Sequence, residues 1–197
     1  MTGIICPSEF EYQFLGHSEI RKKDAALIHS GMGKVRALYA CHRLLKDNPG
    51  LTSILLVGFA GALTPSLKIG DIIEPSLFIE QDYNAEPFEK FPNAIKKSSS
   101  PKLIEDSKDA VMLTQDRFLK ENPYGANGYA QEYPRLACDM ESYAVAYFCE
   151  TSRMPYAVVK LISDCADGHA DHDFLKACRE LSPKLNKTVL QAMEKTL

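Results

Sequence analysis

Apolar positions along this chain fall into short continuous runs that alternate with stretches of helical spacing. Gly3–Cys6 (GIIC) is a brief apolar run closed by Pro7 and predicts a first strand. A second short strand in AALIHS ends near Ser30. A helix then opens in GMGKV, with Val35, Leu38, Tyr39, His42 and Leu45 at helical spacing, and Asn48-Pro49-Gly50 stops it. SILLVGFAGAL predicts a buried strand that runs into a glycine-punctuated turn at Gly58–Gly61. IGDIIEPSLFIEQDY predicts further strand, bent at Pro75.

The stretch from Asn84 to Lys108 is rich in Pro, Lys and Ser, including Ser98-Ser99-Ser100-Pro101, and predicts a surface loop. DAVMLTQDRFL resumes as strand and turn. DMESYAVAYFCETSRM predicts a helix whose start is marked by Asp139. PYAVVKLISD is a Val- and Ile-rich strand. The C-terminal stretch from Asp171 is helical, with a break near Pro183. Strands that alternate with helices, several of them apolar throughout, predict an α/β fold. Its mostly parallel sheet is covered on both faces. Ligands of such sheets bind beyond the carboxyl ends of strands, where SGMG, GFAG and SD all fall.

Composition narrows the function without naming it. The 197 residues suffice for one domain, and 45% hydrophobic with 25% charged residues is an ordinary globular balance. A net charge of −3 gives no electrostatic support for nucleic acid or an anionic membrane as a partner. No apolar run approaches the roughly 18 residues that span a bilayer, and MTGIICPSEFEY does not read as a signal peptide. Six scattered cysteines without a CxxC pair argue against a disulfide framework or a zinc site, so the expected compartment is a reducing cytoplasm.

Individually, the candidate chemical residues are ambiguous. Gly31 and Gly33 free the backbone to approach a ligand, or only make a tight turn. Asp164 sits at a strand exit, where an Asp also caps helices. Glu141 sits at a helix start, where the dipole favours a carboxylate. Glu9 and Glu11 pass as loop charges, and Phe118 passes as core. His169 and His172 invite a metal reading but lack a ligand spacing, so no metal and no cofactor is expected.

Taken together, SGMGKV, VGFAGALTPSLKIGDII, DMESYAVAYFC and VVKLISDCADG resemble the motif series of the purine nucleoside phosphorylase/nucleosidase superfamily. Among its members the 5′-methylthioadenosine/S-adenosylhomocysteine nucleosidases are nearest. The motifs stand in the family's order between Glu11 and Phe174. The resemblance implies a three-layer α/β/α fold around a twisted, mixed sheet, and a small-molecule purine nucleoside as substrate. It implies hydrolysis of the N-glycosidic bond by a homodimer.

By the same resemblance Asp164 protonates the five-membered ring of the departing purine. Glu11, with Glu9 as its rival, orients the attacking water. Glu141 grips the ribose hydroxyls and Met140 packs on the sugar. Phe118 stacks on the base, and the backbone of Leu119 bonds its edge. Phe59, Ala60, Gly61 and Ser163 complete the substrate-binding set, and Phe174 closes over the ligand tail.

Three departures bear on the 5′ substituent: a shortened Asn84–Lys108 region, Pro7 and Ser8 in place of apolar residues, and Lys160 in place of Arg. Two rival functions remain in view. A phosphorylase needs a basic anion site, yet Phe59 stands near the position of such a residue, LLVGFAG holds no Arg, and Arg36 lies inside a helix. A non-catalytic binding or storage relative would have lost Glu11, Glu141 or Asp164, and this chain keeps all three. A dinucleotide-binding dehydrogenase is disfavoured, because no GxGxxG follows the first strand.

Overall fold

A computed structural model of the chain describes residues 1–83, 93–97, 102–123 and 128–195. In chain order the elements begin with β1 (Thr2–Cys6), α1 (Glu9–Tyr12), α2 (His17–Lys22), β2 (Ala25–His29) and α3 (Lys34–Asp47). They continue with β3 (Ser53–Ala62), β4 (Ile72–Ile73), β5 (Leu77–Glu80), β6 (Ala94–Lys96), β7 (Val111–Thr114) and α4 (Gly128–Glu132). β8 (Leu136–Asp139), α5 (Ser142–Ser152), β9 (Tyr156–Asp164), α6 (Ala170–Glu180) and α7 (Ser182–Glu194) complete the order. Among the described residues no helix is long and apolar enough to cross a membrane.

The strands form one mixed, mostly parallel sheet in the order β2-β1-β3-β8-β7-β5-β6, with β9 paired to β3 and β4. β1, β2, β3 and β9 make one parallel block, and β5, β7 and β8 another. The two blocks join antiparallel, Gly61 beside Cys138 and Ala62 beside Ala137. β3 and β9 are buried at every position, as strands covered on both faces must be. On one side α3 and α5 pack with Ile5, Leu56, Val158 and Ile162. On the other, Leu185 and Val189 of α7 pack with Ile4, Val57 and Val159.

Gly58–Gly61 is not a turn: β3 continues through it to Ala62. The predicted helix does not start at Asp139, because Leu136–Asp139 is β8 and α5 begins at Ser142. Asp139 still caps that helix from the strand end, accepting from Ser142 N at 3.1 Å. Glu9 and Glu11 lie on a helical turn rather than in a loop, and His172 lies in α6 with His169 capping it. The loop expected over Asn84–Lys108 falls partly on 84–92 and 98–101, outside the described residues. The described part includes β6, antiparallel to β5. The breaks near Pro75 and Pro183 are present between β4 and β5 and between α6 and α7.

Candidate active site

The carboxyl ends of both parallel blocks open onto one cavity of about 360 Å³. Pro7, Ser8 and Glu11 enter it after β1, Phe59–Gly61 from β3, Phe118 and Leu119 after β7, Met140 and Glu141 after β8, and Ser163 and Asp164 from β9. Phe174 reaches it from α6. Every residue assigned to substrate by sequence therefore meets here. Phe10, Met32, Arg117, Cys138, Asp171 and Leu175 also line it and were not singled out. Met32, between Gly31 and Gly33 of SGMG, carried a signal that could have found it.

Glu11 is held by local helix chemistry. Ser8 caps α1, its hydroxyl accepting from Glu11 N at 3.0 Å, while Glu11 Oε2 accepts from Ser8 N at 2.8 Å. This reciprocal capping box is worth about 1 kcal/mol. Glu11 Oε1 accepts from Phe59 N at 2.6 Å, which ties α1 to β3. Glu11 is buried and lines the cavity, whereas Glu9 is exposed, so geometry favours Glu11 over its rival.

The glycines of GFAG make room for carboxylates. A Cβ on Gly58, whose φ is +146°, would lie 2.6 Å from Glu11 Oε1. A Cβ on Gly61 would lie 2.9 Å from Asp164 Oδ1. The register of β3 and β9 slips between Ala60 and Gly61, which sets Asp164 opposite Gly61 at the strand ends. Asp164 accepts from Ser163 Oγ at 2.7 Å and from Ala166 N at 3.1 Å. Burial raises its pKa, assisted by Asp173 and Asp167 and opposed by those two hydrogen bonds.

Glu141 precedes α5 and makes no cap of its own. Its Oε1 accepts from Gly33 N at 3.0 Å, which anchors the SGMG turn to the cavity. Behind it lies Lys160, fully buried in mid-β9, with Nζ 3.2 Å from Asp139 Oδ2 and 3.6 Å from Glu141 Oε2. These are ion-pair distances without hydrogen-bond alignment. Burial pushes the Glu141 carboxyl up, Asp139 and Glu11 adding to it, while Lys160 and the Gly33 N–H pull it down. For Lys160 burial works against the charge, but Asp139, Glu141 and Glu11 outweigh it and hold the ammonium protonated.

Three rings form the apolar wall. Phe174 meets Phe59 edge-on at 6.2 Å and Phe118 edge-on at 5.9 Å. Phe118 is 38% exposed, so it is a cavity-mouth ring and not core. Among the described residues no group of three or more His, Cys, Asp or Glu is placed to hold a metal ion. All six cysteines are free. The arrangement pairs a tethered carboxylate with a second carboxyl biased toward its protonated form, across a cavity able to take an aromatic base.

Residues 7–194 match the family profile of the phosphorylase superfamily. The chain is similar to the 5′-methylthioadenosine/S-adenosylhomocysteine nucleosidase of Buchnera aphidicola subsp. Acyrthosiphon pisum (strain Tuc7), 30% identical over 89% of this chain and 82% of the relative. Its fold resembles that of the Neisseria meningitidis enzyme of the same name in complex with methylthio-immucillin-A. That match has a TM-score of 0.84 at 20% identity, over 98% of both chains. Futalosine hydrolase of Helicobacter pylori strain 26695 superposes with a TM-score of 0.83 at 18% identity, over 99% of this chain and 97% of that one.

Proposed function

The chain belongs to the phosphorylase superfamily, and we propose that it hydrolyses the N-glycosidic bond of a purine nucleoside of the 5′-methylthioadenosine/S-adenosylhomocysteine type. The products would be free adenine and a ribose derivative. The observation that carries this reading is the pair Glu11 and Asp164 facing one cavity, each in space cleared by a glycine of β3.

The steps follow from the side chains. Asp164, biased toward its protonated form by burial, gives a proton to the purine ring as the C–N bond breaks and its electron pair leaves with the base. General acid catalysis of this kind is worth about 10²–10⁴-fold. Glu11 orients a water and takes its proton as the oxygen bonds to C1′. Its Oε1 and Oε2 are fixed by Phe59 N and Ser8 N, so little reorganisation is needed. Glu141 accepts from the ribose hydroxyls, Met140 packs on the sugar, Phe118 stacks on the base and Phe174 covers the tail. Glu11, Asp139 and Glu141 outnumber the one Lys160 ammonium among them, which suits a sugar that becomes cationic in the transition state.

A second reading, phosphorolysis, has one observation in its favour: Arg117 lines the cavity. Arg117 enters from the segment carrying Phe118, however, and a phosphate anion beside Glu11 would meet the carboxylates of Glu11 and Glu141. Product analysis with and without phosphate tests the assignment. Adenine release that needs phosphate, or a ribose 1-phosphate product, would overturn it.

The same reading makes the protein a cytoplasmic homodimer. In its favour, α3 presents Val35 and Tyr39 at 76% and 63% exposure, and Met32 and Tyr147 are half-exposed. Such an apolar surface suits a second copy of the chain.

A further inference from the structure

The mechanism leaves Lys34 unused, although this residue joins the SGMG turn and the segment after β7, both of which line the cavity, to the end of β5. Its side chain is only 16% exposed. Lys34 Nζ donates to Glu80 Oε1 at 2.7 Å and to Asp82 Oδ1, and lies 3.9 Å from Asp116 Oδ2. Its backbone N–H donates to Asp116 Oδ1 at 2.8 Å, and Asp116 N donates to Asp82 Oδ2 at 2.8 Å.

Its arms lead toward groups assigned to substrate. Gly33, the neighbour of Lys34, donates to Glu141. Asp116 is two residues before Phe118 and three before Leu119. Glu80 ends β5 and pairs with Thr114 of β7, four residues before Phe118, and Asp82 follows two residues later. We propose that Lys34 is a positioning residue that locks the turn holding Glu141 to the segment carrying Phe118 and Leu119. It thereby sets the distance between ribose grip and base platform. The inference rests on the nucleosidase reading for the identity of those two subsites.

An isolated exposed ion pair contributes little, but this is a partly buried network of one cation and three carboxylates. Without the ammonium, Glu80, Asp82 and Asp116 repel one another, and the contacts between the two loops are the ones that part. Both subsites bind substrate before the chemical step, so their separation shows mainly in KM.

The test is Lys34→Met against Lys34→Arg in the full chain. Lys34→Met should raise KM for methylthioadenosine about tenfold and change kcat by less than about threefold, and Lys34→Arg should restore most of KM. Hydrogen exchange should quicken in residues 30–34 and in 115–119 together, with β3 and β9 as in the parent. A wild-type KM for Lys34→Met, or faster exchange confined to the first turn of α3, would overturn the proposal. If Lys34→Met fails to fold, Asp116→Ala cuts the same joint from the exposed side. It must quicken exchange at 30–34 for the proposal to stand. A parent protein inactive on the nucleoside would refute the nucleosidase reading instead, because exchange reads the lock without turnover.

Discussion

Glu11 Oε1 occupies the space that a side chain on Gly58 would need: a Cβ there would sit 2.6 Å from it. Such a contact forces the carboxylate, the Phe59 N–H it accepts from, or the strand itself to move. Gly58→Ala should therefore lose turnover by about 10²-fold through misplacement of Glu11. The positive φ adds strain of about 1–3 kcal/mol, readable as a lower melting temperature. Near-parental turnover in a folded Gly58→Ala protein would remove Glu11 from the chemistry.

Asp164→Asn should fold normally and lose about 10²-fold or more in single-turnover rate, roughly 3 kcal/mol of transition-state stabilisation. The amide keeps the acceptor for Ala166 N and can donate to Ser163 Oγ, but it has no proton to transfer. If Asp164 were only a cap, Asn would serve as well and turnover would survive.

Asp164 also makes a stability prediction. Its folded pKa is raised, so its contribution is fully present below the unfolded value near 3.8 and is lost as pH rises through the folded value. Asp164→Asn escapes that loss. Its melting temperature relative to the parent should climb as pH rises above about 4 and level off once the folded value is passed. A parent that gains stability over the variant across this range would contradict the raised pKa.

Phe118→Leu should weaken binding of adenine by about 1–3 kcal/mol, the usual value of a base–aromatic stack. Because the ring is 38% exposed and meets Phe174 edge-on, the melting temperature should barely change. Calorimetric titration with adenine reads the first effect and thermal unfolding the second. Unchanged adenine affinity would place the base elsewhere.

Tyr39→Glu should convert a dimer at micromolar concentration into monomers, by burying a charge in the exposed face of α3. Sedimentation velocity separates the two. An active parent that sediments as a monomer would end the homodimer proposal.

The long elements were legible because each repeats one signal. Residues 54–57 and 156–162 are unbroken apolar runs but for Lys160. The spacing of Val35, Leu38, Tyr39, His42 and Leu45 found α3 but not its inner face: all five are exposed, and the helix packs through Ala37, Ala40, Cys41 and Leu44. GFAG misled because glycine usually marks a turn, whereas here it clears space beside residues far away in sequence, and nothing local records that. β8 was hidden because its four residues run into a stronger helix pattern. The spacing Ser8-x-x-Glu11 was a readable capping box and would have predicted α1. Lys160, buried in mid-strand, made sense only once Asp139 and Glu141 arrived from another element.

The capping box of α1 also bears on descent. Glu11 is at once the group assigned to the water and the side chain that closes the first helical turn on Ser8 N, with a second tether to β3. A lineage that let the reaction lapse could not discard this carboxylate freely, because its loss would unfasten the turn that joins β1 to the rest of the chain. Silent relatives of this protein would thus be expected to keep Glu11 long after Asp164, whose removal relieves a buried charge, had drifted.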